Sequence, residues 1–194
     1  MAAHVLLEDA GADYIGIPID LKSGWQRSKE YLDINPKGRV PALIADGKVL
    51  TETPSILAYV AQMFPEKELA PKEPFEFAFA QSINMYLSST VHVGHAHKQR
   101  GGRWATDENA ILNMKAKVTE NMTEYAKTIQ NHYFHGPWVL GENYSMCDPY
   151  LAVITKWFYD DGVNMDNFKQ ISEHYDIIRK RPSMMKILEM HNLI

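Results

Sequence analysis

Two different rhythms of apolar and polar positions divide the chain. From Pro74 onward, apolar residues recur three and four positions apart, the repeat of a single helix face. Phe75, Phe79, Ile83, Tyr86 and Leu87 predict a long helix from Pro74 to about Lys98. Ile111, Met114, Val118, Met122 and Tyr125 predict a second from Asp107 to His132. Arg100-Gly101-Gly102-Arg103 breaks the first and His135-Gly136-Pro137 closes the second. A third helix follows Ser145-x-x-Asp148, a capping box in which the hydroxyl takes the N3 amide and the carboxylate reaches back to the serine amide. Leu151, Val153, Ile154, Trp157 and Phe158 make it apolar on several sides, so it is expected to be the buried core helix. Pro149 falls at its fourth helical position, where a missing N–H costs little. Helices over Phe168 to Lys180 and Pro182 to His191 complete a bundle, and no hairpin pattern appears in this half.

Before Phe64 the pattern is shorter and mixed. Ala2 to Ala10 reads as a helix, with Val5, Leu6 and Ala10 among its apolar positions and Gly11 as its stop. Tyr14 to Asp20 alternates as a strand, with Pro18 favouring a sheet edge. A polar loop containing Trp25 runs from Leu21 to Arg27, and Ser28 to Ile34 is a short helix ended by Asn35-Pro36. Pro41 to Ala45 is a short apolar strand. Asp46-Gly47 is a pair suited to the left-handed geometry of a two-residue hairpin. Lys48 to Leu50 returns antiparallel. Thr53 then reads as an N-cap and Pro54 as the first helical residue, with Ile56, Leu57, Val60, Met63 and Phe64 at helical spacing. A proline-bounded, charged link spans Phe64 to Pro71. The expected division is therefore residues 1–65, a linker over 66–72, and an all-helical part over 73–194.

Two features exceed what such a fold needs. Val40-Pro41, directly before a strand, is a candidate cis peptide that would turn the Val40 backbone toward an extended ligand. Glu52-Thr53 stands at a helix start, where free N–H groups and the helix dipole suit a carboxylate, while Glu52 suits an ammonium group. A molecule with a peptide bond, a carboxylate and an amine a few ångströms apart satisfies both, and glutathione is one.

The order Asn35-Pro36-x-Gly38-x-Val40-Pro41-x-Leu43, then Asp46-Gly47, then Thr51-Glu52-Thr53-Pro54-Ser55-Ile56-x-x-Tyr59-Val60 resembles the glutathione-binding half of bacterial, beta-class-like glutathione S-transferases. The Leu140-Gly141 turn and the Ser145/Asp148 box resemble the entry to the family's buried helix. The resemblance implies an α/β plus all-α fold: a thioredoxin-like N-terminal domain followed by an all-helical, substrate-binding one. It implies glutathione as co-substrate, held by Val40, Pro41, Glu52 and Thr53, an electrophilic small molecule as acceptor, and a homodimer. The opening residues resemble the family's first helix. Its first strand and the loop carrying its catalytic Ser, Cys or Tyr would then lie before Met1. Two readings stay open: the sequence belongs to a longer product, or the small domain rearranges.

Charge and composition narrow the remaining classes. A net charge of −4 without a long single-sign block gives no sign of a nucleic-acid or membrane partner. No run of 18 apolar residues suggests a membrane span, and the N-terminus lacks a basic-then-apolar leader pattern. The single cysteine, Cys147, excludes an internal disulfide framework and fits a reducing cytoplasm. Its place in the capping turn of a buried helix marks it as a packed side chain rather than a nucleophile.

His92, His95, His97, Arg100, Arg103 and Trp104 form the densest polar cluster. Cations at a helix C-terminus account for part of it through the dipole. With no carboxylate or thiolate beside the histidines, no metal is expected. The resemblance implies that a histidine on this helix approaches the glutathione thiol, and His92 is its candidate. His95, Arg100, Arg103 and Trp104 are then candidates for the acceptor pocket. Ser23, Trp25 and Gln26 match the family poorly, and Asn84 lies near where a partner subunit would approach. Glutathione conjugation is the leading reading. A non-catalytic binding protein, or another glutathione-dependent reaction such as dehalogenation, isomerisation or disulfide reduction, remains beside it.

Overall fold

The computed structural model describes residues 1–191. Helix α1 (Ala2–Ala10) buries Leu6, Leu7 and Ala10 and stops where Gly11 adopts φ 68°. Helix α2 (Lys29–Ile34) starts under a true cap, with Ser28 Oγ accepting from the Tyr31 N–H at 3.2 Å. Strands β1 (Ala42–Ala45) and β2 (Lys48–Thr51) pair antiparallel, Ala42 opposite Thr51 and Ala45 opposite Lys48. Asp46 and Gly47 between them both have positive φ, 50° and 73°, as the two-residue turn requires. Helix α3 (Thr53–Met63) then packs against α1.

The helical part begins with α4 (Pro74–Tyr86), continues through a π-helical turn at Leu87–Val91, and runs into α5 (His92–Arg100). Helices α6 (Glu108–Ala116), α7 (Val118–His132), α8 (Asp148–Asp160), α9 (Lys169–Ile178) and α10 (Pro182–Met190) follow. The architecture is a thioredoxin-like N-terminal domain with a small sheet, joined to a helical C-terminal domain. One core runs through both: Leu6 of α1, Leu57 of α3, Ile83 of α4, Met122 of α7, Leu151 and Phe158 of α8, and Ile171 of α9. Helix α1 is also tied down by charge. Asp9 accepts from Tyr144 Oη at 2.6 Å and from Arg181 Nη2 at 2.8 Å.

Helix α8 is the central helix, and its first residue is a hub. Asp148 is fully buried. Its Oδ2 accepts from the Ser145 N–H at 2.6 Å and the Ser145 hydroxyl at 2.9 Å. Its Oδ1 accepts from the Val139 N–H at 2.8 Å and from His174 Nε2 at 3.0 Å. One carboxylate thus joins the α7–α8 connection, the α8 start and α9. The reach back to the Ser145 amide is the one expected from the sequence. The serine hydroxyl, however, accepts from the Cys147 N–H at 3.2 Å rather than from Asp148. The regular helix begins at Asp148, which puts Pro149 at its second position, not its fourth.

Other expectations are corrected. Tyr14 to Asp20 is not a strand. Ile15 is 89 % exposed, and among the described residues β1 and β2 pair only with each other, so the alternating segment has no ladder to join. The N-cap of α3 is Glu52, not Thr53, and no side chain caps it. Phe75, in the first turn of α4, is 72 % exposed, and Met63 at the end of α3 is also exposed, so neither belongs to the core. The helix expected over Asp107 to His132 is two helices meeting at Lys117, and α6 buries none of its residues.

Removing the hub would leave the Val139 and Ser145 N–H groups and His174 buried without their partner. Asp148→Ala is expected to lower the unfolding free energy by roughly 3–5 kcal/mol, measured as a shifted urea midpoint at unchanged slope.

Candidate active site

The site begins with a turn that one buried amide holds. Asn35 lies at 1 % exposure. Its Nδ2 donates to the Arg39 carbonyl at 2.6 Å, its Oδ1 accepts from the Lys37 N–H at 3.2 Å, and its own carbonyl accepts from the Gly38 N–H at 2.9 Å. The Tyr31 hydroxyl donates to the same Arg39 carbonyl at 2.7 Å. Gly38 has φ 57°, and a Cβ there would come within 2.9 Å of the Gln26 carbonyl, so glycine is required twice over. The turn delivers Val40, which is exposed, with the Val40–Pro41 peptide cis.

The hairpin register does the next step. Because Ala42 pairs with Thr51, the Val40–Pro41 end of β1 lies beside the Glu52 start of α3. Glu52 adopts φ 72°, which swings the chain from strand to helix. Pro54 has no N–H, so the first free donors of α3 are those of Thr53 and Ser55. The Glu52 carboxylate is not bare. Lys37 Nζ pairs with it and also donates to Thr51 Oγ1 at 2.6 Å.

His92 lies in the first turn of α5. Its ring packs edge-on against Trp157 of α8, with centroids 4.7 Å apart. His95 stacks on the same indole at 4.4 Å, with the planes 3° apart. His95 Nδ1 in turn donates to Asp161 Oδ2 at 2.7 Å, and Lys98 Nζ lies 3.1 Å from Oδ1. The carboxylate that the sequence did not place near the histidines is therefore Asp161, reaching in from the end of α8. His95 is committed to this support. His97 sits apart from both, edge-on to Trp104 at 4.6 Å. Among the described residues no three His, Cys, Asp or Glu converge on a point that could hold a metal.

Electrostatics set the state of His92. Burial first, then the arginines Arg100, Arg39 and Arg103 with the neighbouring His95, push its pKa down to about 4. At neutral pH the ring is therefore neutral, and a weaker base than a free histidine. Arg39 acts from the turn over residues 35–41 and the other charges from the helical domain, so His92 faces the junction of the two. Cys147 does not. Its Sγ packs 3.4 Å from the Ala80 carbonyl, and burial, then the charge of Asp148, raises the thiol pKa.

Known proteins give this geometry a place. Residues 1–62 match the model of the glutathione S-transferase N-terminal domain. The crystal structure of a glutathione transferase homologue from Sulfitobacter, with bound glutathione, is 38 % identical; the match covers 98 % of this chain and 92 % of that one, at a TM-score of 0.94. The chain belongs to the glutathione transferase family. A beta-class glutathione transferase from Sphingomonas chungbukensis is 27 % identical over 100 % of this chain and 94 % of its own, at a TM-score of 0.80. Glutathione S-transferase GstA of Escherichia coli O157:H7 is 25 % identical over 100 % of this chain and 94 % of its own length. The sequence motif nominated Val40, Pro41, Glu52 and Thr53, which the hairpin register brings together at one corner, but not the residues that hold that corner. Asn35 read only as a turn residue, and Lys37 and Arg39 as unspecified positions of the motif. Trp157 and Asp161 lie on a helix distant in sequence, with no local signal to link them to His92.

A depressed histidine pKa has a thermodynamic sign. The unfolded chain takes up a proton near pH 6.5, whereas folded His92 does so only near 4. Its burial therefore weakens the fold as pH falls through that window. His4, also pushed down to about 4, mainly by burial, adds to the same trend. In His92→Gln the acid loss of stability between those values is expected to be shallower than in the parent, by urea unfolding at a series of pH values; parallel curves would contradict the burial of a neutral ring.

Proposed function

We propose that the chain is a bacterial, beta-class-like glutathione S-transferase, which conjugates the glutathione thiolate to an electrophilic small molecule. Residues 1–65 would bind glutathione, 66–72 link, and 73–194 take the acceptor. The observation that carries this reading is the corner made by the hairpin register, where Val40–Pro41 and Glu52–Thr53 end side by side. The Val40 backbone pairs with the cysteinyl part of glutathione. The N–H groups of Thr53 and Ser55 receive the γ-glutamyl carboxylate, and Glu52 receives its ammonium in place of Lys37.

The thiolate is the reactive form of glutathione. The positive charges of Arg39, Arg100 and Arg103 favour an anionic sulfur in the cleft; neutral His92 is too weak a base to keep the thiol proton, which goes to solvent, and its role is to face the sulfur as a hydrogen-bonding partner. The sulfur then forms a bond to the electrophilic carbon while the leaving group departs with the bonding pair. A homodimer working in a reducing cytoplasm completes the reading, on the family resemblance and the buried, reduced Cys147.

Calorimetric titration of glutathione tests the corner. Glu52→Ala is expected to weaken binding by about tenfold or more, the loss of one charge-assisted contact, and to slow conjugation of a chromogenic electrophile. A folded parent protein that does not bind glutathione would refute the reading. Binding with substrate conversion, but without loss of free thiol, would instead indicate a glutathione-dependent reaction other than conjugation.

A further inference from the structure

The histidine that completes the Asp148 hub has a second ring nitrogen without a hydrogen bond. His174 Nε2 lies 3.0 Å from Asp148 Oδ1. An ionised carboxylate only accepts, so Nε2 carries the hydrogen of that bond. In the neutral ring Nδ1 is then a bare acceptor. It is buried, and among the described residues nothing donates to it. Turning the ring to find a donor would break the Asp148 contact. Phe134 and Trp138 also hold it edge-on, with centroids 5.6 and 5.9 Å away.

His174 is 1 % exposed, yet it lines a cleft of about 260 Å³ between the α7–α8 connection and α9. With Nε2 turned inward to Asp148, Nδ1 lies on the opposite side of the ring, toward that cleft. Phe134, Pro137 and Ile177 give the cleft apolar walls, and Gln170 and Glu173 give it a polar rim. No lysine or arginine lines it. Among the described residues Glu173 has no ion-pair partner. The cleft therefore offers a lone pair within and a carboxylate at its mouth. Both suit a ligand that donates hydrogen bonds and carries positive charge. The volume falls below the range of about 300–1,000 Å³ usual for ligand pockets, so the ligand is small.

We propose that this cleft binds a primary ammonium ion with a short apolar group. One N–H donates to His174 Nδ1, the charge faces Glu173, and the apolar group lies against Phe134, Pro137 and Ile177. The site is separate from the Val40 and Glu52 corner and does not rest on the transferase reading. Because the same ring bonds Asp148, its occupant rests on the residue that starts α8.

Cyclohexylamine is the probe, with cyclohexanol as its uncharged counterpart, at pH 8, where a free imidazole is neutral and an alkylamine is charged. Affinity is read by calorimetry, and the state of the ring by nitrogen NMR of histidine-labelled protein. The amine is expected to bind saturably and more tightly than the alcohol, and to move the Nδ1 signal of His174. Glu173→Gln is expected to weaken the amine about threefold and leave the alcohol unchanged. Ile177→Trp, checked for folding by circular dichroism, is expected to close the cleft and abolish both. No saturable binding overturns the proposal, and would leave Nδ1 to a water molecule. It is equally overturned by binding that leaves the Nδ1 signal in place, by unchanged amine affinity in either variant, or by a His174 ring protonated on both nitrogens at this pH.

Discussion

The buried carboxylate of Asp148 is the constraint on which the site depends. A charge removed from water is tolerable only when each of its lone pairs is occupied. Asp148 meets that condition with two backbone N–H groups, a hydroxyl and an imidazole. Those partners come from three parts of the chain, so satisfying the charge also sets the direction in which α8 leaves the connection. Trp157 lies about two and a half turns further along α8, and Asp161 caps its end. Their positions, and through them that of His92, follow from how the helix starts.

The cleft then combines opposite demands. In the proposed transferase its N-terminal edge offers donors to one carboxylate and an acceptor to one ammonium. Its helical wall must hold a neutral imidazole among guanidinium groups. Asp161 makes the second arrangement workable, because it neutralises Lys98 and fixes His95 without reaching His92. The indole between the two histidines transmits position but not charge. In this way a ring that must stay neutral shares a helix with one that is bound to a carboxylate.

What the sequence revealed follows from the range of each interaction. The Asp46-Gly47 turn, the Gly11 stop and the carboxylate half of the Ser145/Asp148 box are made by neighbours in the chain, and each was legible there. The Val40 and Glu52 corner was legible because a two-residue turn leaves the strand register no freedom. His174 meets Asp148 from 26 residues away and Asp161 meets His95 across 66, so only packing reveals them. The Tyr14 to Asp20 strand misled for the complementary reason: alternation describes a face, but a strand exists only beside another strand. Lys117, which divides α6 from α7, interrupts no apolar repeat, so periodicity ran straight through it.

Glu52 carries a further consequence for how such a sequence drifts. Its φ of 72° is a region that side chains other than glycine enter at a cost of about 1 kcal/mol or more. Glycine at this position would relieve that strain and delete the carboxylate in one step. A library screened for heat resistance alone would therefore tend to enrich the residue that empties the corner. A screen that rewards ligand capture would keep the less stable fold. With Glu52 taking the ammonium as proposed, position 52 sets stability and recognition against each other, so a preference for acid there among variants would report selection on binding rather than on folding.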